Sequence, residues 1–183
     1  MLTCHRREFI RIGLGALAGS MLPLKAVAAV AMRPDAPRIL SFYNTHTNEQ
    51  LKVCYHTGQD YRPEALDRIN HILRDHRCGT VAPIDVNLLD LLYKVKCETG
   101  TKKPFQVISG YRSPATNEML RRNTSGVAKT SYHTKGRAID IRLSDYGTKQ
   151  LRDLCIGLKS GGVGYYARSN FVHLDTGPVR RWQ

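Results

Sequence analysis

The stretch RAIDIRL at residues 137–143 alternates apolar and polar side chains with the period of two that is typical of a half-buried β-strand. Its two isoleucines and its leucine share one face, and Asp140 lies on the other face. The stretch FVHLD at residues 171–175 divides in the same way, with valine and leucine on one side and His173 and Asp175 on the other. We therefore expect two strands that each bury one face in the core and present ionisable side chains on the opposite face.

Around these two strands, the hydrophobic pattern predicts a mixture of helices and short strands. Apolar runs at residues 39–43 and 51–55 flank a polar stretch and are typical of a β-hairpin. Two helices follow: Pro63 suits the first turn of one, and the other has Asp85 as a cap and Gly100 beyond its end. The further predicted elements are a strand at 103–108, a helix at 114–122, a surface loop at 125–135, a helix at 150–158 and a strand at 163–166. This order predicts the α+β class, with a single domain in which helices flank a central antiparallel sheet.

The first 31 residues have the features of an export signal. Arg6 and Arg7 precede an apolar run at residues 12–24, and Ala-x-Ala steps follow that run. The run is shorter than the roughly 20 residues that a membrane-spanning helix needs. We therefore predict a twin-arginine signal peptide at residues 1–31 and a mature domain at residues 32–183, in the periplasm or cell envelope, with no stable membrane span after cleavage. The alternative is an amphipathic or anchoring helix that stays attached.

The chain is strongly basic, with a formal net charge of +13 at pH 7. Basic surfaces commonly bind nucleic acid, anionic lipid or another polyanion. An exported domain does not meet nucleic acid, so the carboxylate-rich polymers of a cell wall are the better match. A surface that only keeps the domain soluble is the alternative, and charge alone does not decide between the two. The sequence identifies no protein partner.

Four cysteines lie downstream of the predicted signal peptide, namely Cys54, Cys78, Cys97 and Cys155. An even number is compatible with disulfides in an oxidising compartment. No Cys-x-x-Cys spacing occurs, which argues against a zinc knuckle or a redox pair. Disulfide bridges and free thiols remain equal alternatives at this point.

The two strands described first suggest a metal site if they are neighbours in the sheet. Gly136 lets the chain turn so that His133 returns over Asp140, and His173 comes from the second strand. Two imidazoles and one carboxylate are a ligand set of catalytic zinc, which keeps a fourth position open, whereas structural zinc takes four protein ligands. Such an ion polarises a carbonyl group and lowers the pKa of its water from about 15.7 towards about 7. The spacing is a weak signal by itself, and the surrounding motifs strengthen it.

Three stretches resemble a known family of metallopeptidases. Residues 131–140 read SYHTKGRAID, which matches the pattern Ser-x-His-x-x-Gly-x-Ala-x-Asp of the zinc D-Ala-D-Ala metallopeptidases, relatives of lysostaphin and the hedgehog signalling domain. Residues 109–117 read SGYRSPATN, and residues 161–182 read GGVGYYARSNFVHLDTGPVRRW. Together with the leader, these stretches extend the resemblance over essentially the whole chain. Within the group, the chain is most similar to murein endopeptidases.

The resemblance implies roles for individual residues. One Zn²⁺ ion would be bound by His133, Asp140 and His173, in a cleft on one face of the sheet. Arg112 would point into that cleft and hold a carboxylate of the peptide stem or the developing oxyanion, with a salt bridge as the alternative role. Ser131 would bind substrate close to the metal, with a loop cap as the alternative role.

The general base is the position at which the sequence departs from this family. Many relatives place a Glu three residues before the last histidine ligand or a His two residues before it, where this chain has Asn170 and Phe171. Asp175 shares a strand face with His173 and is the catalytic candidate, as a base that reaches the water activated by the metal. It could equally be the carboxylate that orients His173, and the sequence leaves both roles open.

The resemblance also implies a substrate, the peptide stems of peptidoglycan, and a reaction, hydrolysis of the cross-links between stems during cell-wall remodelling. The bond would join either D-Ala to diaminopimelate or diaminopimelate to diaminopimelate, and no residue selects between them. A D,D-carboxypeptidase would use the same metal ligands. A non-catalytic module that binds peptidoglycan or a partner, with a vestigial zinc site, is the other alternative, and the missing Glu or His before His173 favours it.

Overall fold

The computed structural model describes residues 36–124 and 127–183. These residues form one domain with four α-helices and eight β-strands, which confirms the predicted α+β class. In the part of the chain that is described, no helix combines the length and the apolar character that crossing a bilayer requires. The predicted signal peptide at residues 1–31 lies outside the described residues and stays a prediction.

The eight strands form one sheet in the order β3-β2-β1-β4-β5-β7-β6-β8. Their bounds are β1 (Arg38–Asn44), β2 (Gln50–Thr57), β3 (Asp60–Tyr61), β4 (Phe105–Ser109), β5 (Ala138–Arg142), β6 (Gly162–Tyr166), β7 (Phe171–Asp175) and β8 (Arg180–Trp182). Neighbouring strands are antiparallel except for the parallel pairs β1 with β4 and β6 with β8. The order places β5 beside β7, so the two strands that carry the predicted metal ligands are neighbours.

The bounds of the four helices are α1 (Pro63–Ile72), α2 (Val86–Thr99), α3 (Pro114–Asn123) and α4 (Thr148–Gly157). Two of the four helices, α2 and α3, begin at a side chain that caps them. The Asp85 side chain caps α2 by accepting a hydrogen bond from the backbone N–H of Asn87, and Gly100 ends this helix with a φ of 66°. The Ser113 hydroxyl caps α3 by accepting from the backbone N–H of Thr116. These capping residues explain why the helix boundaries are predictable from sequence.

One hydrophobic core joins the sheet to the helices. Ile139 and Ile141 of β5 and Val172 and Leu174 of β7 are buried in it, as the period-two pattern predicts. Burial of each such side chain contributes about 1.5–3 kcal/mol to folding. Because this face of β5 and β7 is fixed in the core, the opposite face is held in place for the polar side chains.

The structure differs from the prediction at three places, of which the first is the unpredicted two-residue strand β3. The predicted loop at residues 125–135 ends in a 3-10 turn at Tyr132–Lys135, which Gly136 closes with a φ of 63°. Strand β8 is not predicted, because the sequence Arg-Arg-Trp has no apolar alternation. It is an edge strand with largely exposed side chains. Its extended conformation follows from its pairing with β6 and not from a hydrophobic pattern in its sequence.

All four cysteines downstream of the predicted signal peptide are free thiols in the structure. Cys155 of α4 is buried, and burial raises the pKa of its thiol to about 12. The thiol is therefore protonated and unreactive at neutral pH. Of the two alternatives left open by the sequence, the structure favours free thiols.

A half-buried cluster around Asp90 connects β1, β2 and β3 to α2. The carboxylate accepts hydrogen bonds from Arg38 at 2.7 Å and from Tyr55 and Tyr61 at 2.8 Å each. Burial opposes ionisation of Asp90, but these hydrogen bonds outweigh it and hold the pKa of the carboxyl below its usual range. The ionised carboxylate therefore stabilises the fold.

We expect Asp90→Asn to lower the free energy of unfolding at pH 7 by about 1.5–3 kcal/mol, the usual contribution of hydrogen bonds to a charged group. Because the folded pKa lies below the unfolded value of about 3.9, the stabilisation is complete well above that pH and is lost as the pH falls through the folded pKa. Urea denaturation of both proteins at about pH 7 and about pH 3 measures the difference. The exposed Asp67 of α1 supplies the control, and Asp67→Asn should change stability by less than about 0.5 kcal/mol. An equal deficit of Asp90→Asn at both pH values would contradict this account.

Candidate metal centre

Two neighbouring strands and one turn bring the three predicted ligand residues together. In the antiparallel pair of β5 and β7, Asp140 lies opposite His173. The 3-10 turn ahead of β5 carries His133. One ligand atom from each of the three residues lies within 4.8 Å of the other two. All three residues are buried, with at most 8% of any of them exposed, so their side chains have little freedom to turn away.

Hydrogen bonds orient both imidazoles so that each points one nitrogen at the centre. Nδ1 of His133 is 2.7 Å from the carbonyl oxygen of Gly110, which leaves Nε2 facing inward. Nε2 of His173 is 3.0 Å from Oδ2 of Asp175, which leaves Nδ1 facing inward, 2.8 Å from Oδ1 of Asp140. The inward nitrogens of the two imidazoles are 3.2 Å apart. A hydrogen bond on the outer nitrogen and a free inner nitrogen are the arrangement that metal-binding histidines show, so the residues fit a metal ion.

The carboxylates make this centre favourable for positive charge. Burial opposes ionisation of Asp140, but His133 and His173 outweigh it and hold the pKa of the carboxyl well below its usual range. Burial likewise disfavours the charged form of His173, but hydrogen bonds with Asp140 and Asp175 raise its pKa to about 9. Positive charge is therefore stabilised where the three ligand atoms converge, and a divalent metal ion would supply that charge.

Gly136 fixes the direction of the chain between the 3-10 turn and β5. Its φ of 63° is in the left-handed region, and its carbonyl oxygen accepts a hydrogen bond from the backbone N–H of Asp85 at 2.9 Å. A Cβ at this position would overlap the carbonyl oxygen of Pro83. The position of His133 over β5 thus depends on a glycine here.

We expect Gly136→Ala to lower the free energy of unfolding by about 3 kcal/mol or more, because a left-handed alanine and a steric overlap add together. Gly58→Ala is the matched control, since Gly58 has a φ of 64° and open space around a Cβ. That variant should lose only about 1–2 kcal/mol. Urea denaturation measures both. Equal losses in the two variants would show that the overlap with Pro83 has no cost.

Arg112 lies at the edge of the centre, where its predicted role requires it. Its backbone N–H donates to the carbonyl oxygen of His133 at 3.2 Å. The side chain is 12% exposed, and Nη2 lies 3.9 Å from Oδ2 of Asp140. The hydrogen bonds from the guanidinium to Asn117 and Ser109 are long, at 3.4 Å each. Nε is buried and has no hydrogen-bond partner among the described residues, and the residue lines the cleft.

Ser131 caps the 3-10 turn. Its hydroxyl oxygen accepts a hydrogen bond from the backbone N–H of His133 at 3.3 Å, which is the alternative role that the sequence suggests. The residue also lines the cleft beside the centre. The cap uses the oxygen as an acceptor, so the hydroxyl hydrogen is available to a ligand. The predicted contact with substrate stays a prediction.

Asp175 is completely buried, and both of its oxygens have several partners. Oδ1 accepts from the backbone N–H groups of Gly162 at 3.2 Å and Gly177 at 2.8 Å, and from Nη1 of Arg180 at 3.0 Å. Oδ2 contacts Nε2 of His173 at 3.0 Å and accepts from Nη2 of Arg180 at 2.6 Å. The carboxylate thus lies on the outer nitrogen of His173, behind the imidazole as seen from the centre. Of the two roles left open by the sequence, the geometry favours orientation of His173.

Comparison with known proteins identifies the family. A sequence model of the family described as peptidoglycan L,D-endopeptidase MepK matches residues 32–182. The chain belongs to this peptidase family. The peptidoglycan L,D-endopeptidase MepK of Escherichia coli (strain K12) is 44% identical over 178 residues, which cover 97% of each chain. The probable peptidoglycan L,D-endopeptidase MepK of Haemophilus influenzae is 39% identical over 180 residues, which cover 98% of this chain and 96% of that relative. The resemblance inferred from the sequence is confirmed.

In this member of the MepK family, aromatic side chains of β6, β7 and β8 line the cleft beside the centre. The Trp182 ring of β8 lies against His173, with ring centroids 5.1 Å apart. Its Nε1 donates a hydrogen bond to the hydroxyl of Tyr166 at 3.1 Å. A Cβ at Gly164 of β6 would lie 2.5 Å from the indole. The absence of a side chain at Gly164 therefore makes room for Trp182 over the ligand residue.

Arg180 and Tyr132 are among the cleft residues that the sequence analysis does not single out. Both line the cleft, and the guanidinium lies 5.2 Å from the centroid of the Tyr132 ring. A signal for Arg180 is present in the sequence, because Gly162 and Gly164 fall on the same face of one strand. Glycines spaced in this way mark a strand surface that large side chains from elsewhere approach closely.

Proposed function

We propose that the chain is a zinc-dependent peptidoglycan endopeptidase that hydrolyses the peptide cross-links between stem peptides during cell-wall remodelling. The observation that carries the proposal is the convergence of Nε2 of His133, Oδ1 of Asp140 and Nδ1 of His173 beside an open cleft. This set matches catalytic zinc with one free coordination position. Membership of a peptidase family supports hydrolysis of a peptide bond. The names of the relatives favour the L,D bond between two diaminopimelate residues over the bond from D-Ala to diaminopimelate.

Each residue of the centre would have a separate task in this reaction. The three ligand residues would hold one zinc ion, which when bound polarises the scissile carbonyl and lowers the pKa of a water. Arg112, which lines the cleft and makes only long hydrogen bonds through Nη1 and Nη2, would bind the carboxylate beside the scissile bond or the developing oxyanion. Ser131 would donate its hydroxyl hydrogen to the peptide. Asp175 would hold the N–H of His173 and so keep the opposite nitrogen free for the metal.

A non-catalytic module that binds peptidoglycan is the second candidate function. The described lining of the cleft contains no carboxylate or imidazole apart from the three ligand residues. Both oxygens of Asp175, the candidate base, already have hydrogen-bond partners, and the carboxylate lies at the outer nitrogen of His173. Hydrolysis needs a group that accepts the proton of the attacking water, and carboxylates and imidazoles are the usual ones. This observation favours a binding role, and the experiment below separates the two functions.

The test is digestion of whole sacculi that contain both kinds of cross-link, with the soluble products identified by mass spectrometry. We expect release of muropeptides with loss of the dimers joined between two diaminopimelate residues, no release in the presence of a chelator, and recovery when zinc is restored. Loss of the dimers joined through D-Ala would change the assigned bond, and release of free D-Ala alone would identify a D,D-carboxypeptidase. Tight binding to sacculi without any new product would identify the binding module.

We further propose that residues 1–31 direct export by the twin-arginine pathway, because peptidoglycan lies outside the cytoplasmic membrane. Cleavage would remove four basic residues and one acidic residue, so the exported domain would stay strongly basic, which supports binding to the carboxylates of the wall. The intact mass of the protein recovered from the cell envelope tests cleavage. A new N-terminus near residue 32 would support it, and an N-terminus at Met1 would contradict it.

A further inference from the structure

We infer that Arg180 is a positioning residue of the metal centre, which acts through Asp175 to hold His173 in the orientation that binds metal. The inference rests on the proposed function, because it assumes that His173 is a metal ligand. It assigns a task to a residue whose hydrogen bonds in the described structure go to Asp175 and Pro178 and not to the three ligand residues.

Both terminal nitrogens of the Arg180 guanidinium donate hydrogen bonds to the Asp175 carboxylate. Nη2 donates to Oδ2 at 2.6 Å, and Nη1 donates to Oδ1 at 3.0 Å. Such a bidentate salt bridge fixes the rotation of the carboxylate as well as its position. Since Oδ2 is also the atom that contacts Nε2 of His173 at 3.0 Å, the rotation of the carboxylate determines where the imidazole is held.

Burial makes the pair with Arg180 necessary. Asp175 is fully buried, and removal of a carboxylate from water costs several kcal/mol unless charges and hydrogen bonds compensate it. Arg180, whose side chain is 40% exposed, supplies a permanent positive charge and two hydrogen bonds to this carboxylate. Held in this way, Oδ2 contacts Nε2 of His173, and Nδ1 of the same ring faces the centre.

The surroundings of Arg180 are shaped to keep the guanidinium at this position. Its Cζ lies 5.2 Å from the ring centroid of Tyr132 and 5.1 Å from that of Trp182, distances that are typical of cation–π contacts. A Cβ at Gly162 would overlap the guanidinium, so the glycine on β6 leaves the space that the arginine fills. Tyr132 belongs to the 3-10 turn that carries the first metal ligand. Arg180 thus connects the last strand to both histidine ligands of the centre.

The test compares Arg180→Ala with Arg181→Ala, the matched control on the same strand. Arg181 is the exposed neighbour of Arg180 and does not line the cleft. Zinc affinity is measured by competition with a chromophoric chelator, and the geometry of the site by the visible spectrum of the cobalt-substituted protein. We expect Arg180→Ala to bind zinc about 10–100-fold more weakly, as loss of a partner of a metal-binding histidine typically does, and to change the cobalt spectrum. Arg181→Ala should match the wild type in both measurements.

Two further variants test whether Arg180 acts through Asp175. Arg180→Lys keeps the positive charge but loses the bidentate geometry, so it should recover only part of the zinc affinity. It also carries the test if Arg180→Ala fails to fold. The double variant Arg180→Ala with Asp175→Asn should bind zinc no more weakly than Asp175→Asn alone, because residues that act in one chain are not additive.

The outcomes separate this inference from the proposed function. If Arg180→Ala keeps wild-type zinc affinity and cobalt spectrum, Arg180 is not a positioning residue and the inference is wrong. A raised KM with unchanged affinity and spectrum would show that Arg180 contacts substrate instead. Losses that add fully in the double variant would also overturn the inference, since Arg180 would then act independently of Asp175. Failure of the wild-type protein to bind zinc would overturn the proposed function itself.

Discussion

His133→Ala is expected to abolish metal binding and to lower the turnover of cross-linked muropeptides by roughly 10³-fold or more. A metal ion that polarises a carbonyl stabilises the transition state by several kcal/mol, and each 1.36 kcal/mol is about tenfold in rate. His133 supplies one of only three ligand atoms in the centre, so two ligands would remain after the substitution. Two protein ligands do not form the sites that catalytic zinc uses.

The measurement combines zinc content by mass spectrometry with the rate of cleavage of a purified muropeptide dimer. His71→Ala is the matched control, because His71 is an exposed histidine on α1, outside the cleft. That variant should keep the zinc content and the rate of the wild type. Thermal unfolding in the presence of a chelator shows whether His133→Ala is still folded. A folded His133→Ala protein that retains zinc and activity would show that the metal lies elsewhere.

Local patterns in the sequence predict which strand faces carry the candidate ligands Asp140 and His173. The period of two in β5 and β7 separates the aliphatic core side chains from Asp140 and His173 without any knowledge of the rest of the fold. Their pairing in the sheet then brings the two side chains opposite each other. The helix caps are predictable for the same reason, since Asp85 and Gly100 act on the residues next to them in the chain.

The sequence does not predict the role of Asp175, because that role depends on groups that are distant in the chain or lack a pattern. The spacing in FVHLD shows that Asp175 shares a face with His173, but not on which side of the imidazole the carboxylate lies. The structure places it on the outer nitrogen, where Arg180 and the N–H of Gly162 hold it. Arg180 belongs to β8, whose sequence has no apolar alternation and which is a strand because it pairs with β6. A prediction from local patterns therefore finds the carboxylate and misses its partners.

Arg112→Ala should lower kcat/KM by roughly 10²–10³-fold while zinc stays bound, if the guanidinium serves the reaction as proposed. Loss of one donor to a developing oxyanion has an effect of this size. Zinc should be retained because Arg112 is 3.9 Å from Asp140 and is not itself a ligand. Arg112→Lys should recover little, since an ammonium group on a different stem cannot reproduce the directions of the guanidinium donors.

The division of this loss between kcat and KM decides which of the two roles Arg112 has. A loss confined to kcat would mean that the guanidinium stabilises the oxyanion, because that charge exists only in the transition state. A loss confined to KM would mean that it binds the substrate carboxylate equally in both states. Arg122→Ala, at an exposed arginine of α3, is the control and should leave both constants unchanged. Loss of zinc in Arg112→Ala would contradict both roles. It would show that the guanidinium acts by holding the candidate ligand Asp140 in place, since Nη2 lies 3.9 Å from Oδ2 of that residue.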